Sequence, residues 1–383
     1  MASYGASMPP SKLIEFLEKY LFGGNLLGPS PPPAAVGIMV AINNLDAYVG
    51  WTVAQGIQSP LQLRSTQDGQ YRYATASQPI APNDTILRVP LASCLTAENL
   101  EALAERLKYE RDAGARSKFE PYIKMLPSFE QLKVLPRFWD DNLVATVTDG
   151  GQLESRIIRD KNDILDPWAL ACVDSRANFM QDCYSLTPFL DMINHDASLQ
   201  TKARVEKNRG FASTEGDVLC LQSSTYYKEG EECFISYGDL SNLDALCDYG
   251  FLTEDNPCNK ESIQVRLIGS EPFSINVLAD GSVDAGSKSI LRYKLATESE
   301  LEAFSSFDEG NGLGLLSKPL SERNELDVQS FIASTIDEAR YDAHEGASAV
   351  TDNSLISLYL GERSKLLQLA IDRIKMQFPD LEY

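Results

Sequence analysis

The residues best suited to chemistry lie between Cys172 and Phe251. Three segments follow one another there: Asp191-Met192-Ile193-Asn194-His195-Asp196, Phe234-Ile235-Ser236-Tyr237-Gly238-Asp239, and Ser241-Asn242-Leu243 leading on to Tyr249-Gly250-Phe251. They supply an amide, an imidazole, phenol hydroxyls and aromatic rings. Taken singly, Tyr237, Tyr249 and Phe251 read as strand-end packing and His195 as a satisfied core histidine; their order is what singles them out. A hydrolytic nucleophile is not signalled, because the chain has two histidines, His195 and His344, and no G-x-S-x-G. His344 sits in the polar stretch Asp342-Ala343-His344-Glu345-Gly346 and reads as an exposed helix-end residue without catalytic duty. The seven cysteines are odd in number, widely spaced and free of any C-x-x-C pair, so neither a disulfide framework nor a zinc knuckle is indicated. No other ligand spacing points to a metal. Asp308-Glu309-Gly310-Asn311-Gly312-Leu313-Gly314 fits a D-x-G-x-G-x-G nucleotide loop, but the preceding Ser299–Phe307 is acidic and serine-rich rather than a buried strand. A flexible acidic loop is expected there instead.

These residues must be positioned by a large scaffold. The chain has 383 residues, 43% hydrophobic and 23% charged, which is enough apolar surface to fold and more length than one compact core usually holds. Ser11 to Phe22 carries apolar residues at helical spacing and ends at Gly23-Gly24; Gly28-Pro29-Ser30-Pro31-Pro32-Pro33 then reads as a stiff spacer. Trp51 to Pro90 breaks into short β-like pieces, the last being Thr85–Pro90. Thr96 looks like the cap of a helix over Asn99–Glu110, and about a hundred mostly helical residues follow, with breaks at glycines and prolines. Strand patterns return at Val218–Gln222 and Glu232–Tyr237, where Lys228-Glu229-Gly230-Glu231 suits a turn between paired strands. A further β segment spans Ile263–Ile268, and Leu326–Ala339 and Leu355–Ile374 have helical periodicity. The pattern predicts an α+β chain: a β-rich domain interrupted by helices, followed by a mainly α-helical unit.

Charge and composition narrow the function. Lys and Arg number 34 against 55 Asp and Glu, a net of 34 − 55 = −21, which argues against nucleic acid as the main ligand. The longest apolar run, around Ala34 to Ile42, falls far short of the roughly 20 residues a transmembrane helix needs, so no membrane span is expected. Unpaired cysteines and an N-terminus unlike a secretory or transit signal predict an intracellular protein.

Asn194-His195, a strand ending in Tyr237-Gly238, S-N-x-x-x-L at Ser241 to Leu246 and Tyr249-Gly250-Phe251, in that order, resemble the SET-domain protein methyltransferases. The closer resemblance is to the Rubisco large-subunit lysine methyltransferase-like branch. Glu120-Pro121-Tyr122-Ile123 through Phe138-Trp139 is similar to that branch's helical insert, and Ser175-Arg176-Ala177 to its S-R-x-F segment, with Asn178 intervening before Phe179. Ser357 to Leu367 resembles its closing L-x-x-G-E-K-x-x-L helix, so the likeness runs from about Ala47 to the C-terminus. Two departures stand out. Asp68-Gly69-Gln70-Tyr71 keeps the first glycine of the family's G-x-G loop but has Tyr71 where the second is expected, and the zinc-binding cysteines of many histone-directed relatives are missing.

After the helix and spacer read over 1–46, the resemblance implies a SET domain with a knot-like core over 47–255, a helical insertion at about 96–180, and a mainly α-helical substrate-binding domain over 256–383. It implies S-adenosyl-L-methionine as cofactor and methyl transfer to a lysine of a non-histone protein by a monomeric enzyme. Tyr237 corresponds to the catalytic tyrosine. Gly69, Ser175, Arg176, Asp191, Asn194, His195, Tyr237 and Phe251 correspond to the cofactor site, and Tyr249 and Phe251 to the lysine channel. Asn242 is expected to brace its turn. Histidine is an alternative acceptor within the fold, and a catalytically silent module that grips a partner through the acidic helical unit is the alternative suggested by Tyr71.

Overall fold

The computed structural model describes residues 45–66, 71–145, 152–207, 216–267, 271–307, 316–349 and 354–381. The helix expected at Ser11–Phe22, the proline spacer, Gly69 and the Asp308–Gly314 loop lie outside these residues. Among the described residues no helix is long and apolar enough to cross a membrane.

The first element among the described residues is a helix, α1 (Leu45–Ala54). Trp51 therefore stands on a helix rather than opening a β-rich segment. Its indole stacks against Tyr48 and Tyr122, with ring centroids 5.9 and 6.3 Å away, and that packing outweighs the β-propensity of the local sequence. Ten strands of the body then form three small sheets. β1 (Leu61–Ser65), β2 (Arg72–Ala76), β10 (Glu232–Ile235) and β7 (Asn194–His195) lie side by side in that order. β3 (Thr85–Pro90), β9 (Val218–Gln222) and β8 (Lys202–Glu206) form the second sheet, and β4 (Leu95–Ala97), β6 (Cys183–Leu186) and β5 (Ala177–Met180) the third. Two sequence expectations change here. Thr96 is in β4, opposite Ser185, and the helix cap is Asn99, whose side chain accepts the Ala102 amide at 2.7 Å. β9 and β10 do not pair with each other. The buried β9 is central and takes β3 and β8 as partners, while the turn between them bonds to β2: the Gly230 amide donates to the Ala76 carbonyl and the Ala76 amide to that of Glu231.

The helical insertion comprises α2 (Leu100–Ala113), α3 (Gln152–Lys161), α4 (Pro167–Asp174) and several single turns. Beyond the body, a hairpin of β11 (Lys260–Val265) and β12 (Phe273–Leu278) precedes α5 (Ala285–Lys294), α6 (Glu298–Phe307), α7 (Glu322–Ala349) and α8 (Ser354–Gln377). The second hairpin strand, six residues with alternating burial like its partner, was not read from the sequence. Apolar burial divides into three clusters. One fills the body between Tyr48 and Ile235, and a second fills the space between the hairpin and α5, α7 and α8. The third joins Trp139, Leu153 and Ile157 of the insertion to Leu246 and Cys247 and to Ala343, Tyr359 and Leu360 of the C-terminal helices. All seven cysteines are free thiols.

Candidate active site

The site begins at a parallel pairing. β7 lies beside β10 with Asn194 opposite Phe234 and His195 opposite Ile235, whereas the other strand ladders are antiparallel. Two residues past β10, the Tyr237 amide donates to His195 Nδ1 at 2.9 Å. The same nitrogen lies 3.1 Å from the Ile235 carbonyl, and Nε2 is buried with no partner among the described residues. Burial pulls the imidazole down to about 4, so it is neutral at pH 7. His195 stacks on Tyr237 with centroids 4.6 Å apart and rings 11° from parallel, and Tyr237 stacks on Tyr249 at 5.3 Å. Phe251 is tilted against both ends of this stack, 6.4 Å from His195 and 5.9 Å from Tyr249. Four rings form one wall, and the Tyr237 hydroxyl, beneath it, donates to the Ile193 carbonyl at 2.8 Å. Burial pushes this phenol up to about 12, so it stays protonated.

A buried polar layer supports the wall. Arg176 donates to the Asp191 carbonyl at 2.7 Å and approaches its carboxylate at 3.8 Å. The Tyr122 hydroxyl, from the insertion, donates to Asp191 Oδ2 at 2.7 Å. Burial pushes the Asp191 carboxyl up against the opposing pull of Arg176. Arg72 donates to the Met125 carbonyl at 3.2 Å, and burial beside Arg176 lowers its guanidinium to about 10. Two residues before Asp191 the backbone turns sharply: Phe189 has φ +73°, a conformation costly for a residue with a Cβ, and the Tyr48 hydroxyl accepts its amide at 2.7 Å. Helix α1 thus pins the kink that launches the Asp191–His195 segment.

The Tyr249-Gly250-Phe251 turn has its own supports. Ser241 caps it, accepting the Asp244 amide at 3.1 Å. The buried Asn242 donates to the Thr253 carbonyl at 3.2 Å and accepts from Asn256 at 2.9 Å, which is the bracing role expected of it. Ala245–Tyr249 forms a π-helical turn, a wide ring often found at functional sites, closed by Gly250 at φ +73°. A Cβ on Gly250 would meet Val134 Cγ1 at 2.7 Å, so only glycine lets the two aromatic residues fold back over the insertion. Arg156 of α3 ties the same turn down, bonding Asp248 at 2.5 Å and Asp244 at 3.4 Å.

The structure brings His195, Tyr237, Tyr249 and Phe251 into ring contact, with Asn194 next to His195 on β7 and Arg176 bonded to the Asp191 carbonyl. Ser175 and Asp191 are turned inward: the Ser175 hydroxyl donates to the Ala171 carbonyl at 2.8 Å, and the Asp191 side chain is fully buried. Phe179 is more than half exposed, and His344 lies exposed on α7 away from the wall. Sequence reading missed the roles of Tyr48, Arg72, Tyr122 and Glu232. Glu232 carried one available signal, a carboxylate heading an otherwise apolar strand; the others gain meaning only through contacts across 50 or more residues.

Residues 72–238, which include Asn194, His195 and Tyr237, match the family model described as SET domain. The fold is that of the crystal structure of the SET domain of LSMT bound to lysine and AdoHcy, with a TM-score of 0.71 at 18% identity over 89% of this chain and 92% of that one. Among curated proteins, the chain is similar to SET domain-containing protein 4 of Homo sapiens, 26% identical over 50% of this chain and 51% of the relative. It is also similar to the chloroplastic [fructose-bisphosphate aldolase]-lysine N-methyltransferase of Arabidopsis thaliana, 27% identical over 44% of this chain and 39% of the relative. The chain thus matches about half the length of the first relative and less of the second.

Proposed function

We propose that this chain is an S-adenosyl-L-methionine-dependent protein-lysine N-methyltransferase that acts, as a monomer, on a non-histone protein. The observation that carries the reading is the continuous His195–Tyr237–Tyr249–Phe251 ring wall with an unpartnered imidazole Nε2 beside it. The cofactor fits this donor set. Its cationic sulfonium suits aromatic faces, its adenine and amino-acid ends suit the free His195 Nε2 and the Asn194 amide, and its carboxylate suits Arg176, whose Nε is buried without a partner. Ser175 and Asp191 support Arg176 from behind in this reading, and Gly69 belongs to it on resemblance alone. The cofactor supplies an electrophilic methyl group.

The protein's own residues then have three tasks. They must align donor and acceptor and exclude water, which the ring wall does by geometry. They must receive the lysine as a neutral amine, because an ammonium near pKa 10.4 has no lone pair; an aromatic channel of Tyr237, Tyr249 and Phe251 disfavours the charged form. They must also present fixed oxygens. Tyr237 does so because its proton is committed to Ile193, leaving its lone pairs as acceptors beside the rings. The test is transfer of labelled methyl groups to acceptor proteins by the purified chain, with mass spectrometry of the modified residue. Labelled lysine supports the proposal, labelled histidine moves it to the other acceptor, and no transfer by a folded sample overturns it.

A further inference from the structure

Tyr71 occupies the position where the family resemblance calls for a glycine, and its ring is tied to the Asn194 side chain. Thr66 and Tyr71 extend the β1–β2 hairpin past its Ser65–Arg72 pair, the Thr66 amide donating to the Tyr71 carbonyl at 2.8 Å and the Tyr71 amide to Thr66 Oγ1 at 3.0 Å. The ring stacks on Tyr73 at 5.6 Å, and its hydroxyl donates to Glu232 Oε1 at 2.7 Å. The same carboxylate oxygen accepts from Asn194 Nδ2 at 2.9 Å, and Nδ2 also donates to the Arg72 carbonyl at 2.8 Å. Both amide protons of Asn194 are therefore spent. Flipping the amide would set Oδ1 against two acceptors, so its orientation is determined, and Oδ1 is left as the uncommitted polar atom of the side chain.

We infer that Tyr71 is a positioning residue for cofactor binding: it holds Glu232, Glu232 orients Asn194, and the glycine-to-tyrosine departure supports the pocket instead of blocking it. The three residues sit on or beside β2, β10 and β7, so one carboxylate locks the three strands that carry the site. A hydroxyl bonded to a carboxylate is stronger than a neutral pair, and its loss leaves a half-satisfied carboxylate beside Asn194. This inference rests on the proposed methyltransferase reading.

The experiment is calorimetric titration of S-adenosyl-L-methionine into the full chain and into Tyr71→Phe, Tyr71→Gly, Glu232→Ala, Glu232→Gln and Tyr71→Phe/Glu232→Ala, each checked for native circular dichroism and thermal midpoint. Tyr71→Phe removes one hydrogen bond and keeps the ring, and is expected to bind about tenfold more weakly. The double variant is expected to bind no more weakly than Glu232→Ala alone, because the hydroxyl acts through that carboxylate. Glu232→Gln keeps an oxygen able to accept both bonds and recovers most of the affinity. In turnover assays Tyr71→Phe is expected to raise the cofactor KM and leave kcat nearly unchanged. Wild-type binding with Tyr71→Phe unaffected, or tighter binding by Tyr71→Gly, overturns the positioning role while leaving the methyltransferase reading intact. Failure of the folded wild type to bind overturns both.

Discussion

His195 stays uncharged through the neutral range because burial holds its imidazole near 4, below the 6.5 of an exposed histidine. Below pH 6.5 the unfolded chain takes up a proton that the folded ring refuses. His195 therefore contributes a loss of stability as pH falls from about 6.5 to about 4, amounting to about 3 kcal/mol once complete. Urea midpoints measured from pH 7 to 4 on wild type and His195→Asn check this: the variant's acid limb should be shallower, and parallel limbs would remove the assignment. The neighbouring Tyr237 has a different duty. Replacing it with Phe deletes the oxygen bonded to Ile193 but keeps the ring in its stack. On the proposed mechanism, turnover falls by at least about 100-fold while S-adenosyl-L-methionine affinity stays within a few-fold. Calorimetry alongside a methyl-transfer assay separates these quantities, and unchanged turnover would sink the catalytic role of Tyr237.

Elements hold these side chains through a few intolerant positions. The π-turn over Ala245–Tyr249 closes through Gly250, whose positive φ and contact with Val134 leave no space for a methyl group. Gly250→Ala is expected to cost about 2 to 4 kcal/mol, combining left-handed strain with overpacking, and to weaken turnover through displaced Tyr249 and Phe251 rings. Chemical denaturation gives the first figure, and a midpoint equal to wild type would show that the turn relaxes freely. The insertion contributes more than bulk to this arrangement. Tyr122 reaches Asp191, Val134 lies under Gly250, and Arg156 clamps Asp244 and Asp248, so three separate parts of the insertion meet the site segments.

At the scale of the molecule, the third apolar cluster is the decisive link. Tyr359 and Leu360 of α8 and Ala343 of α7 pack with Leu246 and Cys247, the turn that carries Tyr249. The link is polar as well: Glu362 accepts the Asp255 amide at 2.9 Å. We propose a unit boundary near residues 255 and 256, crossed by this shared core. Truncating the fully buried Tyr359 to Ala is expected to remove about 3 to 5 kcal/mol and to separate melting of the C-terminal helices from that of the body. Calorimetric scanning tests it, and one unshifted transition in the variant would show that the cluster does not couple the units.

The sequence by itself determined the chemistry-bearing set, since Asn194-His195, Tyr237 and Tyr249-Gly250-Phe251 are short local patterns whose order survives in any conformation. It also determined the helical insertion and the long C-terminal helices, because a 3.6-residue period is written locally. The tertiary structure decided what those residues touch. Neither the parallel pairing that brings His195 to Tyr237 nor the split of β9 and β10 between two sheets is encoded by local propensity. Thr96 falling in a strand and Trp51 on a helix have the same origin, being set by cross-chain packing. Glu232, Tyr122 and Tyr48 looked ordinary in sequence because their value lies in hydrogen bonds to Asn194, Asp191 and Phe189, across 38, 69 and 141 residues, a separation that only a folded chain closes.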